Sequence, residues 1–449
     1  MDNQKQKISI LGAGLVGSLL SIFLAKRSYQ VTIFERRPDM RKAGAIGGRS
    51  INLALSHRGL KALDAVGIKD KIQESCIPMP GRMIHDLAGN LDFQPYGKEG
   101  QYINSVSRGG LNWLLMNEAE AHGVEIRFDH KCVDIDFDKA EATFENGNTE
   151  SADFLFGGDG AFSSLRGAMQ KTDRFNFSQE YISAGYKELT MPPTAEGNFA
   201  LDPGALHIWP RGEYMLIALP NLDKSFTCTL FFPFEGKISF EAIQTEEQVV
   251  EFFNEKFKDA VPYLPNLKKE FFENPTSSLV TVRCDPWVKG KTALIGDAAH
   301  ALVPFYGQGM NAGFEDCFVF DELLEKHGGI NAALLQEYQD LRIPDGNAIA
   351  DLALYNFIEM RDKVADKKFV LQKKIEKKLN QLYPDKWIPL YSMVTFSDLR
   401  YSEAIARGNK QQAIMDEVFE ANKQEFICED GTVETSIDFG LDEIIAKLD

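Results

Sequence analysis

The fold of the N-terminal part is decided by the stretch KISILGAGLVG, residues 7–17. Its apolar first half, Lys7–Leu11, predicts a short β-strand, and Leu15–Ser28 has the apolar spacing of a helix. A second apolar strand is predicted at Val31–Glu35. A strand, a glycine turn, a helix and a strand within about 30 residues are typical of a dinucleotide-binding unit.

Four residues of this unit have a predicted role towards the dinucleotide. Gly12 permits the tight turn after the strand, and Gly14 lets the backbone approach a pyrophosphate at the positive end of the helix. Gly17 allows the helix to pack closely on the sheet, and Glu35 can accept hydrogen bonds from ribose hydroxyls. The pattern does not distinguish FAD from a nicotinamide dinucleotide, and a purely structural glycine turn remains the alternative.

The composition excludes several classes of protein. The chain has 449 residues, enough for two or three folding units of roughly 150 residues. With 49 basic and 66 acidic residues its formal charge is −17, which disfavours binding to nucleic acid or to anionic membranes. Its six cysteines have no C-x-x-C spacing, so we predict reduced thiols and no metal site. The sequence shows no signal segment and no apolar run of about 18–20 residues, which predicts a cytoplasmic protein.

Two further glycine-rich segments follow predicted strands. The first, GGDGAFSSLR (residues 157–166), is on its own an ordinary glycine turn before a helix. In the second, ALIGDAAH (residues 293–300), a strand delivers Asp297 to its carboxyl end, where a carboxylate can hold ribityl hydroxyls. A helix is then predicted to begin at Gly309, where free N–H groups favour negative charge on a flavin ring. We interpret His300 as a packing residue.

The remaining segments predict an α/β fold with an inserted sheet and a helical C-terminal region. A hairpin is predicted at Arg82–Leu87 and Leu91–Gln94, followed by strands at 185–190, 205–210, 214–219 and 226–232. Beyond Gly309 nearly all segments are predicted as helices, including separate helices at Ala332–Leu341 and Asn347–Leu382, on either side of Pro344. The predicted units are a discontinuous Rossmann-like nucleotide-binding domain (1–80, 98–178 and 285–340), an antiparallel β-sheet substrate domain (81–97 and 179–284) and a helical C-terminal region (341–449).

In this order and at these separations, the three motifs resemble those of the class A flavoprotein monooxygenases, the para-hydroxybenzoate hydroxylase-like group. The resemblance covers about residues 7–330. It implies that the first motif binds the ADP part of FAD, and that Asp159 and Gly160 lie near the pyrophosphate in a motif associated with NADPH use. It also implies that Asp297 contacts the ribityl chain and the flavin. The sequence has no second strand-linked glycine fingerprint that would indicate a separate NADPH domain, and members of that class also lack one. NADPH and O₂ are therefore expected as co-substrates of a bound FAD.

Segments outside these motifs resemble the kynurenine 3-monooxygenase family nearly end to end. They are GRMIHD (81–86), YINSVSR (102–108), YMLIALP (214–220), FTCTLF (226–231), VPFYGQGMNAGFED (303–316) and YNFIEMR (355–361). The resemblance implies hydroxylation of L-kynurenine to 3-hydroxykynurenine through a flavin hydroperoxide. Animal and fungal members carry a C-terminal membrane segment, and this sequence shows none, which implies a soluble, bacterial-type member.

The same resemblance implies site residues drawn from distant parts of the chain. Arg82 and Tyr96 are expected to bind the substrate carboxylate, with Asn356 and Tyr391 completing the amino-acid end. Residues expected at the rest of the substrate are Met215, Leu219, Phe231, Phe305 and Gln308. Residues expected at FAD are Gly12, Gly14, Leu15, Val16, Gly17, Glu35, Arg36, Ala54, Arg108, Val133, Asp159, Gly160, Asp297, Gly309, Met310 and Asn311. Without the resemblance, most of the substrate-site residues would be interpreted as surface charges or core packing.

No catalytic side chain is predicted, because the flavin carries the chemistry and the substrate ring is activated by its own amino group. Two alternatives stay open: another class A activity, or a non-enzymatic flavin-binding protein. A halogenase is disfavoured, since the four tryptophans form no W-x-W-x-I-P segment. We expect a monomer or homodimer that binds a small molecule and no nucleic acid.

Overall fold

A computed structural model describes residues 6–42, 52–359, 367–421 and 441–448. Met360 and Arg361 of the last family-like segment therefore lie outside the described residues, as does most of Arg36–Ser50, whose basic, glycine-rich sequence predicts a loop.

The strands, in chain order, are β1 Lys7–Leu11, β2 Gln30–Phe34, β3 Asn52–Leu55, β4 Cys76–Met79, β5 Gly81–His85, β6 Leu91–Pro95, β7 Ile103–Ser107, β8 Glu125–Arg127, β9 Cys132–Asp136, β10 Glu141–Phe144, β11 Thr149–Ser151, β12 Phe154–Gly157, β13 Asn176–Met191, β14 Ala205–Pro210, β15 Met215–Pro220, β16 Phe226–Pro233, β17 Ser277–Asp285, β18 Val288–Lys289 and β19 Thr292–Leu294.

The α-helices are α1 Leu15–Lys26, α2 His57–Ala65, α3 Lys69–Gln73, α4 Arg108–Ala121, α5 Ser164–Met169, α6 Glu246–Lys256, α7 Leu267–Glu273, α8 Asp297–His300, α9 Gly309–His327, α10 Ala332–Ile358, α11 Lys367–Leu382, α12 Leu390–Phe396, α13 Tyr401–Ala421 and α14 Leu441–Ala446.

The central sheet is parallel except at one edge. Its strand order is β18-β19-β12-β1-β2-β8, and only the β18–β19 pair is antiparallel. Leu11 at the end of β1 pairs with Phe34 of β2 and with Gly157 of β12, so these three strands end at the same edge. The order of connection reverses between β1 and β12, and open sheets of this kind bind ligands at the carboxyl edge beside that reversal. The first two glycine motifs therefore meet there.

A seven-stranded sheet forms the second layer, in the order β17-β13-β16-β15-β14-β5-β6. Neighbouring strands are antiparallel except β5 and β14, which run parallel with Leu206 opposite Arg82. The hairpin β5–β6 agrees with the prediction, whereas β13 is longer than predicted and extends over Asn176–Met191. One face of the sheet packs on α6 and α7 through a largely aromatic core. The predicted fold class is confirmed, while the residue boundaries between its units stay predictions.

Helix α10 shows that one prediction is wrong. It runs unbroken over Ala332–Ile358 with Pro344 inside it, whereas the sequence predicted two helices separated at this proline. A proline lacks the backbone N–H and usually ends or kinks a helix. Buried ion pairs stabilise the helix here, because Arg342 binds Asp316 on α9 (Nε–Oδ1 2.7 Å) and Asp345 on α10 itself (3.0 Å).

The long helix predicted at Asn347–Leu382 is described only in part. The structure describes helix up to Ile358 and again from Lys367, and residues 360–366 lie outside the described residues, so the continuity of this helix stays a prediction. In the described ranges, no helix is both long enough and apolar enough to cross a membrane.

Candidate active site

A cavity of about 1240 Å³ lies between the carboxyl edge of the central sheet and the seven-stranded sheet. All of the predicted substrate-binding residues line it, as do most of the predicted FAD-contacting residues. Those that do not line it are Gly17, Val133 and Asn311. The fold therefore brings motifs from both ends of the sequence to one space.

The first glycine turn brings three backbone segments into close contact. Gly12 has a φ of +96°, a conformation that favours glycine. A Cβ atom on Gly17 would lie 2.1 Å from the carbonyl oxygen of Gly12, and one on Gly12 would lie 2.7 Å from that of Gly158. Gly17 therefore acts by letting α1 approach the turn. Around Gly14, by contrast, no described atom lies within 4 Å of a Cβ position, which leaves room on the cavity side.

Glu35, directly after β2, has a buried carboxylate with several partners. Its Oε2 accepts a hydrogen bond from the N–H of Ala13 at 3.0 Å. Its Oε1 accepts from the backbone N–H of Arg37 at 3.0 Å and from the Nε of Arg37 at 2.9 Å. Burial opposes ionisation, but the hydrogen bonds and charge of Arg37 lower the pKa of Glu35. Because a carboxylate offers about four acceptor positions, Oε2 keeps one for a ligand hydroxyl.

Asp159 of the second motif is half-buried beside this turn, and its Oδ1 is fully buried. Its Oδ2 accepts a hydrogen bond from the N–H of Ser164 at 2.6 Å, and its Oδ1 has no hydrogen-bond partner among the described residues. Burial raises the pKa of Asp159. In the same motif, Arg166 donates to the carbonyl oxygens of Ala298, at 2.7 Å, and of Ala161. The second motif is thereby joined to the third.

The third motif is positioned by a buried carboxylate on α9. Asp316 accepts hydrogen bonds from the N–H of Gly296 at 3.1 Å and from Nε2 of His300 at 2.6 Å. It also binds Nε of Arg342 at 2.7 Å. Burial would raise the pKa of Asp316, but the adjacent His300 and Arg342 lower it to about 2. This carboxylate holds the turn that presents Asp297 to the cavity, and His300 is a buried structural residue.

Asn311 and Val133, two of the residues expected at FAD, do not line the cavity. Asn311 is fully buried, and its Nδ2 donates to the carbonyl oxygens of Ala54 (2.8 Å) and Gly307 (2.9 Å). Its Oδ1 accepts from the N–H of Ser56 at 2.9 Å. The Asn311 amide therefore supports the segments that line the cavity. Val133 is 48 % exposed and lies outside the lining.

Arg82 on β5 lies beside two stacked tyrosine rings. Its guanidinium carbon is 5.4 Å from the ring centre of Tyr96 and 5.5 Å from that of Tyr391. The two ring centres are 5.4 Å apart, and the ring planes differ by 14°. Within the described part of the chain Arg82 forms no ion pair. A guanidinium that lines a cavity without a carboxylate is suited to bind an anionic group.

The hydroxyl of Tyr96 is a second group available to a ligand. Tyr96 is 8 % exposed, and its hydroxyl oxygen has no hydrogen-bond partner among the described residues. Burial raises the pKa of Tyr96 well above its ordinary value, so the hydroxyl stays a donor at neutral pH. Since buried polar groups usually have partners, an unpaired hydroxyl beside an unpaired guanidinium indicates a ligand position.

Apolar side chains line the part of the cavity next to Arg82 and Tyr96. The predicted members of this apolar wall are Met215, Leu219, Phe231 and Phe305. The ring centres of Phe231 and Phe305 are 4.9 Å apart. Asn356 on α10 donates from Nδ2 to the carbonyl oxygen of Phe305 at 2.6 Å, and Gln308 accepts from the hydroxyl of Tyr401 at 3.0 Å. Helical residues from the C-terminal part thus support the loop that carries Phe305.

Two contributors to the site were missed by the sequence reasoning. Tyr306 lines the cavity and stacks on Tyr391, with ring centres 5.5 Å apart. Arg58 on α2 donates from Nε to the carbonyl oxygen of Val394 at 2.8 Å and so attaches the helix that carries Tyr391. Tyr306 belongs to a segment quoted for the family resemblance and could have been singled out. Arg58 gives no local signal, because its partner is a backbone carbonyl 336 positions away.

Similarity to known proteins agrees with this arrangement. The FAD binding domain family matches residues 5–353. A kynurenine 3-monooxygenase from Flavobacterium johnsoniae is 52 % identical over 439 residues, which cover 96 % of this chain and 98 % of that protein. This chain belongs to the kynurenine 3-monooxygenase family.

Other relatives extend the comparison. The kynurenine 3-monooxygenase of Sus scrofa is 46 % identical over 422 residues, which cover 92 % of this chain and 89 % of that protein. Among solved structures, the tetrameric form of 2-methyl-3-hydroxypyridine-5-carboxylic acid oxygenase has a TM-score of 0.67 at 21 % identity. The match covers 82 % of this chain and 96 % of the chain of that oxygenase. At that identity the similarity shows a shared fold alone. The relatives of higher identity confirm the resemblance to the kynurenine 3-monooxygenase family that the sequence indicated.

Proposed function

We propose that this member of the kynurenine 3-monooxygenase family hydroxylates L-kynurenine to 3-hydroxykynurenine, with FAD as the bound cofactor and NADPH and O₂ as co-substrates. One observation carries the proposal: a dinucleotide-type glycine turn and an arginine without an ion-pair partner among the described residues, beside two stacked tyrosine rings, line the same cavity. FAD supplies the activation of oxygen when it is bound, and the chain supplies binding, orientation and exclusion of water.

The residues at the central sheet fit FAD. The open side of Gly14 leaves space for the pyrophosphate, and Glu35 keeps one acceptor position for a ribose hydroxyl. Asp159 has a buried oxygen without a described partner, and Gly309 begins a helix of 19 residues whose first N–H groups favour negative charge. The other predicted FAD contacts that line the cavity stay predictions: Leu15, Val16, Arg36, Ala54, Arg108, Gly160, Asp297 and Met310.

At the other end of the cavity, Arg82 is the proposed partner of the kynurenine carboxylate. Its planar guanidinium can donate two parallel hydrogen bonds to a carboxylate, and Tyr96 can donate a third. The adjacent ring of Tyr391 restricts the guanidinium and is attracted to its charge. Asn356 contributes by holding the Phe305 loop.

The aromatic ring of the substrate is then placed along the apolar wall. Phe231 and Phe305 offer tilted rings 4.9 Å apart at their centres, a surface that fits a flat aryl ketone and excludes water. The amino group of kynurenine activates the neighbouring ring carbon, so we assign no protein general base. The deciding experiment is mass spectrometry of the product formed from L-kynurenine, NADPH and O₂, in which a product heavier by one oxygen atom is expected.

Kynurenine is expected to accelerate NADPH oxidation strongly. With no second glycine fingerprint for NADPH, reduction is expected to depend on a substrate-driven rearrangement. A ligand that satisfies Arg82 but cannot be hydroxylated is expected to trigger NADPH oxidation with release of hydrogen peroxide. The measurement is aerobic NADPH absorbance with and without L-kynurenine, and equal rates would refute the dependence.

Replacement of Glu35 by alanine is expected to weaken FAD binding by about 1–3 kcal/mol, because a buried acceptor of ribose hydrogen bonds is lost. Fluorescence titration of the apoprotein with FAD measures this loss. Glu125→Ala on the neighbouring strand β8 is the control, since Glu125 pairs with Arg127 and does not line the cavity. Equal FAD affinity in the two variants would contradict the assigned role of Glu35.

The two alternatives predict different outcomes in the same assays. A different class A activity would give FAD-bound protein whose NADPH oxidation does not respond to kynurenine. A non-enzymatic flavin-binding protein would oxidise no NADPH with any aromatic acid. The cytoplasmic location, the absence of nucleic-acid binding and the monomer or homodimer remain predictions.

A further inference from the structure

A buried chain of polar side chains lies behind the strand that carries Arg82. Nδ1 of His85 is 2.6 Å from Oδ2 of Asp259, and Nε2 of His85 is 2.8 Å from Nδ1 of His207. Nε2 of His207 is in turn 2.8 Å from the carbonyl oxygen of Asp202. The two histidines are 3 % and 2 % exposed. The cavity mechanism uses none of these groups.

These hydrogen-bonded side chains lie on the face of the sheet opposite to the cavity. On β5 and β14 side chains alternate between the two faces, so Arg82 and its partner Leu206 face the cavity while His85 and His207 face the helical layer. Asp259 comes from the segment after α6. The chain therefore connects three separate segments directly behind the substrate-facing strand.

The available donors and acceptors determine which ring nitrogens of the two histidines carry a hydrogen. A carbonyl only accepts, so Nε2 of His207 carries a hydrogen. Burial lowers the pKa of His207 to about 4, so this ring is neutral and its Nδ1 is an acceptor. Nε2 of His85 must therefore donate to it. Oδ2 of Asp259 also accepts from Nε1 of Trp209 at 2.8 Å. Burial opposes ionisation of Asp259, but the hydrogen bonds from His85 and Trp209 lower its pKa, so it is an ionised acceptor towards Nδ1 of His85.

We propose that His85 is a buried imidazolium, protonated on both nitrogens and paired with the carboxylate of Asp259, and that this pair is a positioning device for Arg82. With Asp259 ionised and His207 neutral, a neutral His85 would leave one of its two contacts without a hydrogen, either the one to His207 or the one to Asp259. The other charged group at this strand end, Arg211, donates to the carbonyl oxygens of His85 (2.9 Å) and Asp86 (3.0 Å) and holds the same end of β5. The positioning role rests on the proposed function, whereas the protonation state does not.

The protonation state is tested by nitrogen NMR of the FAD-loaded protein with all seven histidines labelled. At about pH 8 an unperturbed histidine is neutral, since its pKa is about 6.5. We expect one ring with both nitrogens protonated at that pH. Its signal should disappear in His85→Gln and change to a neutral ring in Asp259→Asn. A neutral His85 in the wild-type protein would overturn the proposal.

The positioning role is tested by titrating L-kynurenine into FAD-saturated variants. Asp259→Asn is expected to weaken binding about tenfold without loss of FAD, because Arg82 shifts relative to its tyrosines. His207→Gln should bind nearly as well as the wild type, since an amide both accepts and donates, while His207→Leu should resemble Asp259→Asn. His122→Gln, at the exposed end of α4, is the matched control.

Each outcome decides one point. Wild-type affinity in both Asp259→Asn and His207→Leu would refute the positioning role. Equal losses in His207→Gln and His207→Leu would also refute it, because the hydrogen-bond chain would then not be what matters. If the wild-type protein binds no kynurenine, the proposed function fails, and the NMR result still decides the charge of His85.

Discussion

Replacement of Arg82 by alanine is expected to weaken L-kynurenine binding by about 2–5 kcal/mol, because a partly buried carboxylate loses its charged partner. Arg82→Lys should recover little of this loss, since an ammonium group beside the stacked rings of Tyr96 and Tyr391 cannot form the two parallel hydrogen bonds of a guanidinium. Tyr96→Phe should weaken binding less, by about 1–3 kcal/mol, as expected for a neutral hydrogen bond.

Calorimetric titration of FAD-saturated protein with L-kynurenine measures these changes. Arg407→Ala on α13 is the control, because Arg407 donates to main-chain carbonyls of Asp385 and Lys386 and does not line the cavity. FAD content should be equal in all variants. Near-wild-type affinity in Arg82→Ala would show that the carboxylate is held elsewhere, and the proposed substrate site would be wrong at its centre.

Replacement of Asp316 by asparagine is expected to lower the free energy of unfolding by about 3–5 kcal/mol, because it breaks the fully buried ion pair with Arg342, whose remaining partners include Asp345. The same change should weaken FAD retention, since Asp316 holds the N–H of Gly296 next to Asp297. Asp321→Asn on the same helix is the matched control. Its partner Arg27 is 30 % exposed, so the loss there should stay below about 1 kcal/mol.

The free energy of unfolding should also depend on pH at low pH, through the ionisation of Asp316. Its pKa of about 2 in the folded protein is below the unfolded value of about 3.9. The stabilisation is therefore complete above about pH 4 and is lost as the pH falls towards 2. Denaturant unfolding curves at several pH values should show a smaller acid dependence in Asp316→Asn than in Asp321→Asn, and equal dependences would contradict this assignment.

Sequence patterns predicted the elements that are determined by residues close together in the sequence. The glycine turn at Gly12 and the hairpin β5–β6 both follow from residue types and spacing, and the structure contains both. Pro344 was misjudged because a contact that stabilises α10, the ion pair of Arg342 with Asp316, involves α9 and is invisible in a local window. The parallel pairing of β5 with β14 is likewise a tertiary feature, since more than 100 residues separate the two strands.

The site was predictable where residues belong to recognisable segments. Arg82 and Tyr391 were singled out only through the family resemblance, and in the structure the guanidinium carbon of Arg82 lies 5.5 Å from the ring centre of Tyr391. Asn311 was assigned to the cofactor through the family resemblance, and its side-chain amide forms hydrogen bonds with Ala54 and Ser56 on segments that neighbour α9. The direction of a side chain depends on helix phase and packing, which sequence motifs do not specify.

Helix α10 belongs to two hydrophobic cores at once. Its first turns, with Leu334 and Tyr338, pack in the core of the central sheet, and its later turns, with Ile349 and Leu352, pack beside the Phe305 loop. At about 1.5 Å per residue its 27 residues span about 40 Å. A split or chimeric enzyme joined inside this helix would therefore expose apolar surface on both fragments. Domain exchange aimed at new aromatic substrates should place its junction after residue 359 and transplant the flavin-binding part together with the whole of α10.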